Sequence, residues 1–188
     1  MEHKLSDMTL EELWMLFPVQ LSAPNDCWRG WYTQEEQTIR EILSPDLLEV
    51  HHISSTAVPG IWAKPIIDIL AVVPSADRLA PARDLLEKNS WICMSKSDRR
   101  VSLNKGYTPT GFAERVFHLH LRLPGDQDEL FFRDLLRGRP DIASEYEALK
   151  LRLWRHYEHD RDGYTDAKSE FVMRYTRYAR ETAVGDVR

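Results

Sequence analysis

The chain has little of several things. Its 188 residues include two cysteines, Cys27 and Cys93, with no neighbouring ligand spacing, which argues against both a disulfide framework and a thiolate zinc site. No window approaches the roughly 20 apolar residues of a membrane span. The opening "MEHKLSDMTLEEL" carries acidic groups where a signal peptide would be continuously apolar. The expected setting is the cytoplasm, with no membrane partner. Basic residues are in deficit, 25 Lys and Arg against 30 Asp and Glu, a formal net charge of -5. General nucleic-acid binding, which needs a basic face, is therefore not expected. A local basic pocket for a small anion is compatible with the same balance. Repeats, low-complexity tracts and long linkers are also missing.

What is present reads as an α+β protein of one domain over residues 1–188. A capping pattern in "SDMTLEELWMLFP" and the stripe Leu10, Leu13, Trp14 and Phe17 predict a first helix ended by Pro18. A second helix is expected over about 28–43, stopped by Ser44-Pro45. The chain then changes character. "LLEVHHI" and "PIIDILAVV" are short, apolar and β-branched, as central strands covered on both faces are. "DRLAPARDLLEKN" predicts a returning helix, "WICMSKS" and "RRVSLNK" two strands, and "ERVFHLHLRL" a last strand ending at Pro124-Gly125. These make a sheet core over about 46–123. Three helical segments follow over about 126–183: "DELFFRDLLRGRP", "DIASEYEALKLRLWRHYEH" and "DAKSEFVMRYTRYARETA".

Within this frame a few side chains stand out. Asp68 lies in the middle of an apolar strand, where an unpaired carboxylate is expensive, so either a structural ion pair or a ligand must hold it. His118 and His120 project from one side of their strand and Phe117, Leu119 and Leu121 from the other. Two imidazoles so placed suit a metal, an anion or a structural hydrogen-bonded pair. Ser54, Ser55 and Thr56 follow the first strand, and exposed amides and hydroxyls at such a turn can hold phosphate oxygens, with Lys64 adding charge. Arg99 and Arg100 form either a basic rim for phosphates or a solvated sheet edge. The expected geometry puts His52, Asp68, His118 and His120 on one concave face.

Four blocks in order, "HISSTAVPGIWAKPIIDIL", "FHLHL", "FFRDLLRGRPDIASEYEALKLRL" and "YTDAKSEFVMRYTRYA", make the chain resemble the GrpB family, a group of small proteins placed in the nucleotidyltransferase superfamily. The resemblance covers about residues 46–180. It implies a nucleotidyltransferase-like mixed β-sheet with flanking helices and a C-terminal helical segment, with a phosphate-holding turn after the first strand and the acid on the second. It also implies Lys150 and Lys168 as anion ligands, on helices packed over the open side of the sheet.

The departures are specific. Ser54-Ser55 stands where the family usually has Gly-Ser, and His51 where Glu is common. Leu70 stands where an active nucleotidyltransferase presents a second acid, and His118 and His120 where it offers a third. A Cβ at position 54 is costly if the turn requires positive φ. One Asp with His52, His118 and His120 suits manganese or zinc better than magnesium, which prefers oxygen ligands. Two functions follow as expectations. One is metal-dependent nucleotidyl or phosphoryl transfer, with catalysis by Asp68, His118 and His120 and a nucleotide or other phosphorylated small molecule as substrate. The other is a non-catalytic phosphate-binding or protein-interaction module with a degenerate site.

Overall fold

A computed structural model describes residues 5–185. Two helices precede the sheet, α1 (Leu10–Leu16) and α2 (Cys27–Leu43). Thr9 starts α1 through a capping box: its side chain accepts the Glu12 amide at 3.2 Å, and the Glu12 carboxylate accepts the Thr9 amide at 2.8 Å. Such a cap stabilises by about 1 kcal/mol.

Five strands follow, β1 (Glu49–Ile53), β2 (Ile66–Val72), β3 (Ile92–Lys96), β4 (Val101–Thr108) and β5 (Gly111–Arg122), with α3 (Ala76–Glu87) between β2 and β3. Their order is β1-β2-β5-β4-β3. β2 and β5 pair in parallel and every other pair is antiparallel, so the sheet is mixed, as the resemblance implies. The last strand in sequence is thus the middle strand in space. The β4–β5 hairpin reaches further than the sequence pattern suggests, because pairing continues to Thr108 opposite Gly111.

Alternation along β2 and β5 decides the two faces. Ile67, Ile69 and Ala71 join Phe117, Leu119 and Leu121 in a core roofed by Trp28, Ile39 and Leu43 of α2 and Leu79, Ala82 and Leu86 of α3. Each fully buried aliphatic side chain there stabilises by roughly 1.5–3 kcal/mol. Asp68 and the two β5 histidines point the opposite way, toward α4 (Asp128–Gly138), α5 (Pro140–His156) and α6 (Arg161–Gly185).

These three helices form their own core from Phe132, Leu136, Ile142 and Tyr146, against Val58 and Ile61 of the β1–β2 connection. Pro140 opens α5 at a position that needs no amide donor. α6 begins at Arg161, five residues before the helical pattern is obvious. The Asp160 carboxylate accepts the Gly163 amide at 2.8 Å and stabilises a first turn that Gly163 would otherwise weaken. No helix among the described residues is long and apolar enough to cross a membrane.

Candidate functional site

Parallel register sets Asp68 directly beside His118, and Leu70 beside His120. Asp68 Oδ1 lies 3.1 Å from His118 Nδ1 and 3.8 Å from His120 Nε2, with 21% of the Asp68 side chain exposed. Burial alone would raise the Asp68 carboxyl. The hydrogen bond from His118 and the nearness of the His120 imidazole outweigh it and hold the group well below the usual carboxylate range. His118 is lowered by its burial, against the pull of Asp68. His120 is the more open imidazole, with Nδ1 3.5 Å from Ser102 Oγ.

Tyr107 reaches this face through a local irregularity. Lys105, two residues earlier, points to the α2 and α3 side, where it pairs with Glu35 of α2 at 2.7 Å and lies over Trp91. The ladder register then shifts between Lys105 and Tyr107. Gly106 sits at φ +91, and a Cβ there would collide with the Arg115 carbonyl. The bulge breaks strand alternation, so Tyr107 turns onto the histidine face, with its hydroxyl 2.8 Å from His118 Nε2. Arg161 in the first turn of α6 donates to the same hydroxyl at 3.0 Å.

Around Asp68 the balance of charge is positive. Lys64 is pushed down to about 7, first by burial and then by Lys168 and Arg161, with Asp68 opposing. Lys168 lies 4.4 Å over the Tyr164 ring, and burial pushes it down to about 8, again against Asp68. Lys150 is 2% exposed. Burial pushes it to about 7, with Lys168 adding to the effect and Glu147 opposing it. Its ammonium donates to Ser55 Oγ at 3.1 Å and to the Trp62 carbonyl. Lys64 and Lys168 thus share the Tyr164 ring and the pull of Asp68, with Arg161 near both and Lys150 next to Lys168.

The serine turn lies beside this cluster. Ser55 begins a short 3-10 turn and is buried, and Ser54 before it adopts φ 64, ψ -166. That is a glycine conformation, and a non-glycine residue held there costs on the order of 1–3 kcal/mol. Ser55 meets Lys150, whereas Ser54 is exposed and turns the backbone.

Two groups of sequence candidates fall elsewhere. His52 is not on the Asp68 face. Antiparallel register puts it opposite Ile69, and Ile53 opposite Asp68. Its ring stacks on Tyr32 of α2 at 4.7 Å, its Nε2 is 3.0 Å from Thr56 Oγ1, and burial pushes it down to about 4. Arg99 and Arg100 precede β4 at the end away from Tyr107, and Arg100 is tied to Asp126 at 2.8 Å. They form no rim to the Asp68 site. Tyr107 and Arg161 had no signal of their own in the sequence, since a bulge and an early helix start bring them in. The Gly106 between Lys105 and Tyr107 was the one visible hint.

The residues do not fit a divalent metal. Both His118 nitrogens are engaged, His52 is on the other face, and the Asp68 carboxylate lies within electrostatic reach of the Lys64 and Lys168 ammonium groups, which oppose a dication. No group of three His, Cys, Asp or Glu side chains among the described residues is arranged to hold an ion. The cations instead suit an anion with several negative oxygens.

Residues 18–178 match the family model described as GrpB protein. UPF0157 protein YqkA of Bacillus subtilis is 28% identical over 175 residues, which are 90% of this chain and 50% of that one. A UPF0157 protein of Pseudomonas aeruginosa is 36% identical over 160 residues, 83% of this chain and 65% of its own. The chain therefore spans between half and two thirds of these curated relatives. The crystal structure of conserved protein GrpB from Enterococcus faecalis superposes with a TM-score of 0.77 at 28% identity, covering 87% of this chain and 99% of that one.

Proposed function

The chain belongs to the GrpB family, and from that premise we propose that it binds the phosphate groups of a nucleotide or another phosphorylated small molecule at the lysine-lined site. The observation that supports this reading is the cluster itself: Lys64 and Lys168 both lie over the Tyr164 ring, Lys150 is held at Ser55, and these lysines and Arg161 depress one another. Burying like charges together is unfavourable unless an anion offsets them. Phosphate oxygens reaching this cluster would accept from ammonium groups whose positions the protein has already fixed, so little ordering cost is left to binding. The lysines occupy the electrostatic role that a metal has in other phosphate sites, and binding should be indifferent to chelators.

Calorimetry with pyrophosphate, in the presence of EDTA, tests this. Lys168→Gln removes one charge-assisted contact, about 1.5–3 kcal/mol, and should weaken binding about tenfold or more. Unchanged affinity in Lys168→Gln, or binding that EDTA abolishes, would refute the reading.

A second reading, group transfer, is favoured by one further observation: Asp68 stands between two imidazoles, and His120 is 25% exposed on the same face. An acceptor hydroxyl would give its proton to His120 as the new P–O bond forms. The leaving phosphate would keep the electron pair of the broken P–O bond, stabilised by the lysines. His120→Gln should then abolish pyrophosphate release from nucleoside triphosphates and leave pyrophosphate affinity intact. No release from the wild type across a panel of triphosphates and small alcohols would leave binding as the function.

A further inference from the structure

The other side of the serine turn carries a second opening. A cavity of about 860 Å³ lies between the start of α2, residues 56–60 and the end of α4, within the roughly 300–1,000 Å³ of small-molecule pockets. It belongs to neither the Asp68 cluster nor its face: its one contributor from β1 is His52, which points away from Asp68. The 54–60 segment connects the two, with Ser55 on Lys150 and Thr56 to Gly60 along the cavity.

Two guanidiniums line this cavity. Arg137 is held in place because its Nε donates to the Ala57 carbonyl at 2.9 Å and its Nη1 lies 3.8 Å from Asp134 Oδ1, which leaves Nη2 for another acceptor. Burial lowers it, with Arg133 and Arg29 adding like charge and Asp134 opposing. Arg29, in the first turn of α2, has no side-chain ion pair or hydrogen bond among the described residues. Asp26 is the one acid in the lining, so the two arginines leave a positive surplus, and Trp28, Tyr32 and Pro59 provide apolar wall. Burial pushes His52 down to about 4, so above that it is neutral and adds nothing to the positive charge. Guanidinium forks recognise carboxylate and phosphate geometry, and an apolar wall beside them selects a ligand with a body as well as a charge.

We propose that this cavity is a second small-molecule site, specific for an organic anion whose phosphate or carboxylate is held by Arg29 and Arg137 while its apolar part lies against Trp28 and Tyr32. The inference goes beyond the phosphate reading of the lysine cluster and does not depend on it.

Phenyl phosphate is the probe, titrated into the full chain by calorimetry and followed by backbone amide shifts, with benzoate and inorganic phosphate in parallel. The expected result is binding that shifts the Thr33 and Gly60 amides and is weakened at least tenfold by Arg29→Gln and by Arg137→Gln, but not by Lys168→Gln. Benzoate binding there marks a carboxylate ligand, and phenyl phosphate binding without benzoate marks a phosphate one. Because Arg137 also supports the turn, Arg29→Gln, which breaks no contact, keeps the test decisive if Arg137→Gln fails to fold. The proposal is overturned if neither aromatic anion shifts these amides, or if Arg29→Gln binds both as the wild type does. Failure of the lysine-site reading would appear separately, as pyrophosphate binding indifferent to Lys168→Gln.

Discussion

Replacing Lys64 by Met should make the protein more stable at pH 6 and remove part of its dependence on pH. Lys64 falls from 10.5 to about 7 on folding, chiefly through burial. Below pH 7 it is charged in both states, and the folded protein bears the full cost of the buried charge. Between pH 7 and 10.5 the unfolded chain binds a proton that the folded one has released, so stability rises with pH by about 1.4 kcal/mol per unit. The charge therefore costs about 5 kcal/mol at pH 6. Methionine of similar length removes that cost, but it loses a cation–π contact with Tyr164 at 5.4 Å, worth about 0.5–2 kcal/mol. Urea unfolding at pH 6, 7, 8 and 9, extrapolated to water, reads both effects. The variant should start several kcal/mol above the wild type at pH 6. Over pH 7 to 9 it should lack about 3 kcal/mol of the wild type's rise. Equal pH slopes, or a variant less stable at pH 6, would show that Lys64 is not a strained buried cation. Pyrophosphate binding should weaken in the same variant, which would make Lys64 a residue kept for its ligand at the expense of stability.

Ser54→Gly should raise the melting temperature, since a glycine at φ 64 relieves on the order of 1 kcal/mol of backbone strain; a fall would reveal a contact made by the Ser54 hydroxyl. His52→Gln should flatten stability between pH 4 and 6.5. The buried imidazole takes up its proton at about 4 against 6.5 when unfolded, so wild-type stability rises with pH across that window, and chemical denaturation at pH 4.5 and 6.5 compares the two. Asp68→Asn should lose about 3 kcal/mol at pH 7 by leaving buried cations without their partner. The depressed Asp68 pKa means that this contribution is present above 3.8 and lost as pH falls below it, so denaturation curves of variant and wild type should converge in acid.

Much of the layout was legible because burial writes itself into the sequence with a period. β2 and β5 alternate or run apolar according to which faces are covered, and Asp68, His118 and His120 are conspicuous because they interrupt that pattern on the side facing α4 to α6. Lys64 was visible beside the serine turn, but Lys150 and Lys168 were found only through the family blocks, since a buried lysine looks like any other in a linear chain. His52 was misplaced for a definite reason: β1 runs antiparallel to β2, and its register pairs Ile53, not His52, with Asp68. One residue of register reverses a side chain's face. Nothing in local sequence fixes a register between strands separated by a turn and a twelve-residue connection. Tyr107 escaped notice because the strand period fails at Gly106, and Arg161 because Gly163 disguises the first turn of α6.

The run from Arg161 through Tyr107 and His118 to Asp68 has a direction. A guanidinium can only donate, so the Tyr107 oxygen receives at that end and its own hydrogen is free to point at His118 Nε2. At the other end an ionised carboxylate can only accept, so His118 Nδ1 must carry hydrogen. Both ends dictate one tautomer, with Nε2 bare toward the tyrosine and Nδ1–H toward Asp68. Every hydrogen in the run therefore points from α6 toward the sheet, and Arg161's charge is relayed as polarity to the carboxylate without a proton having to move. Tyr107→Phe would cut this polarity in the middle. His118 would be released to exchange tautomers, and nitrogen chemical shifts of its ring would record the change even if the fold did not alter.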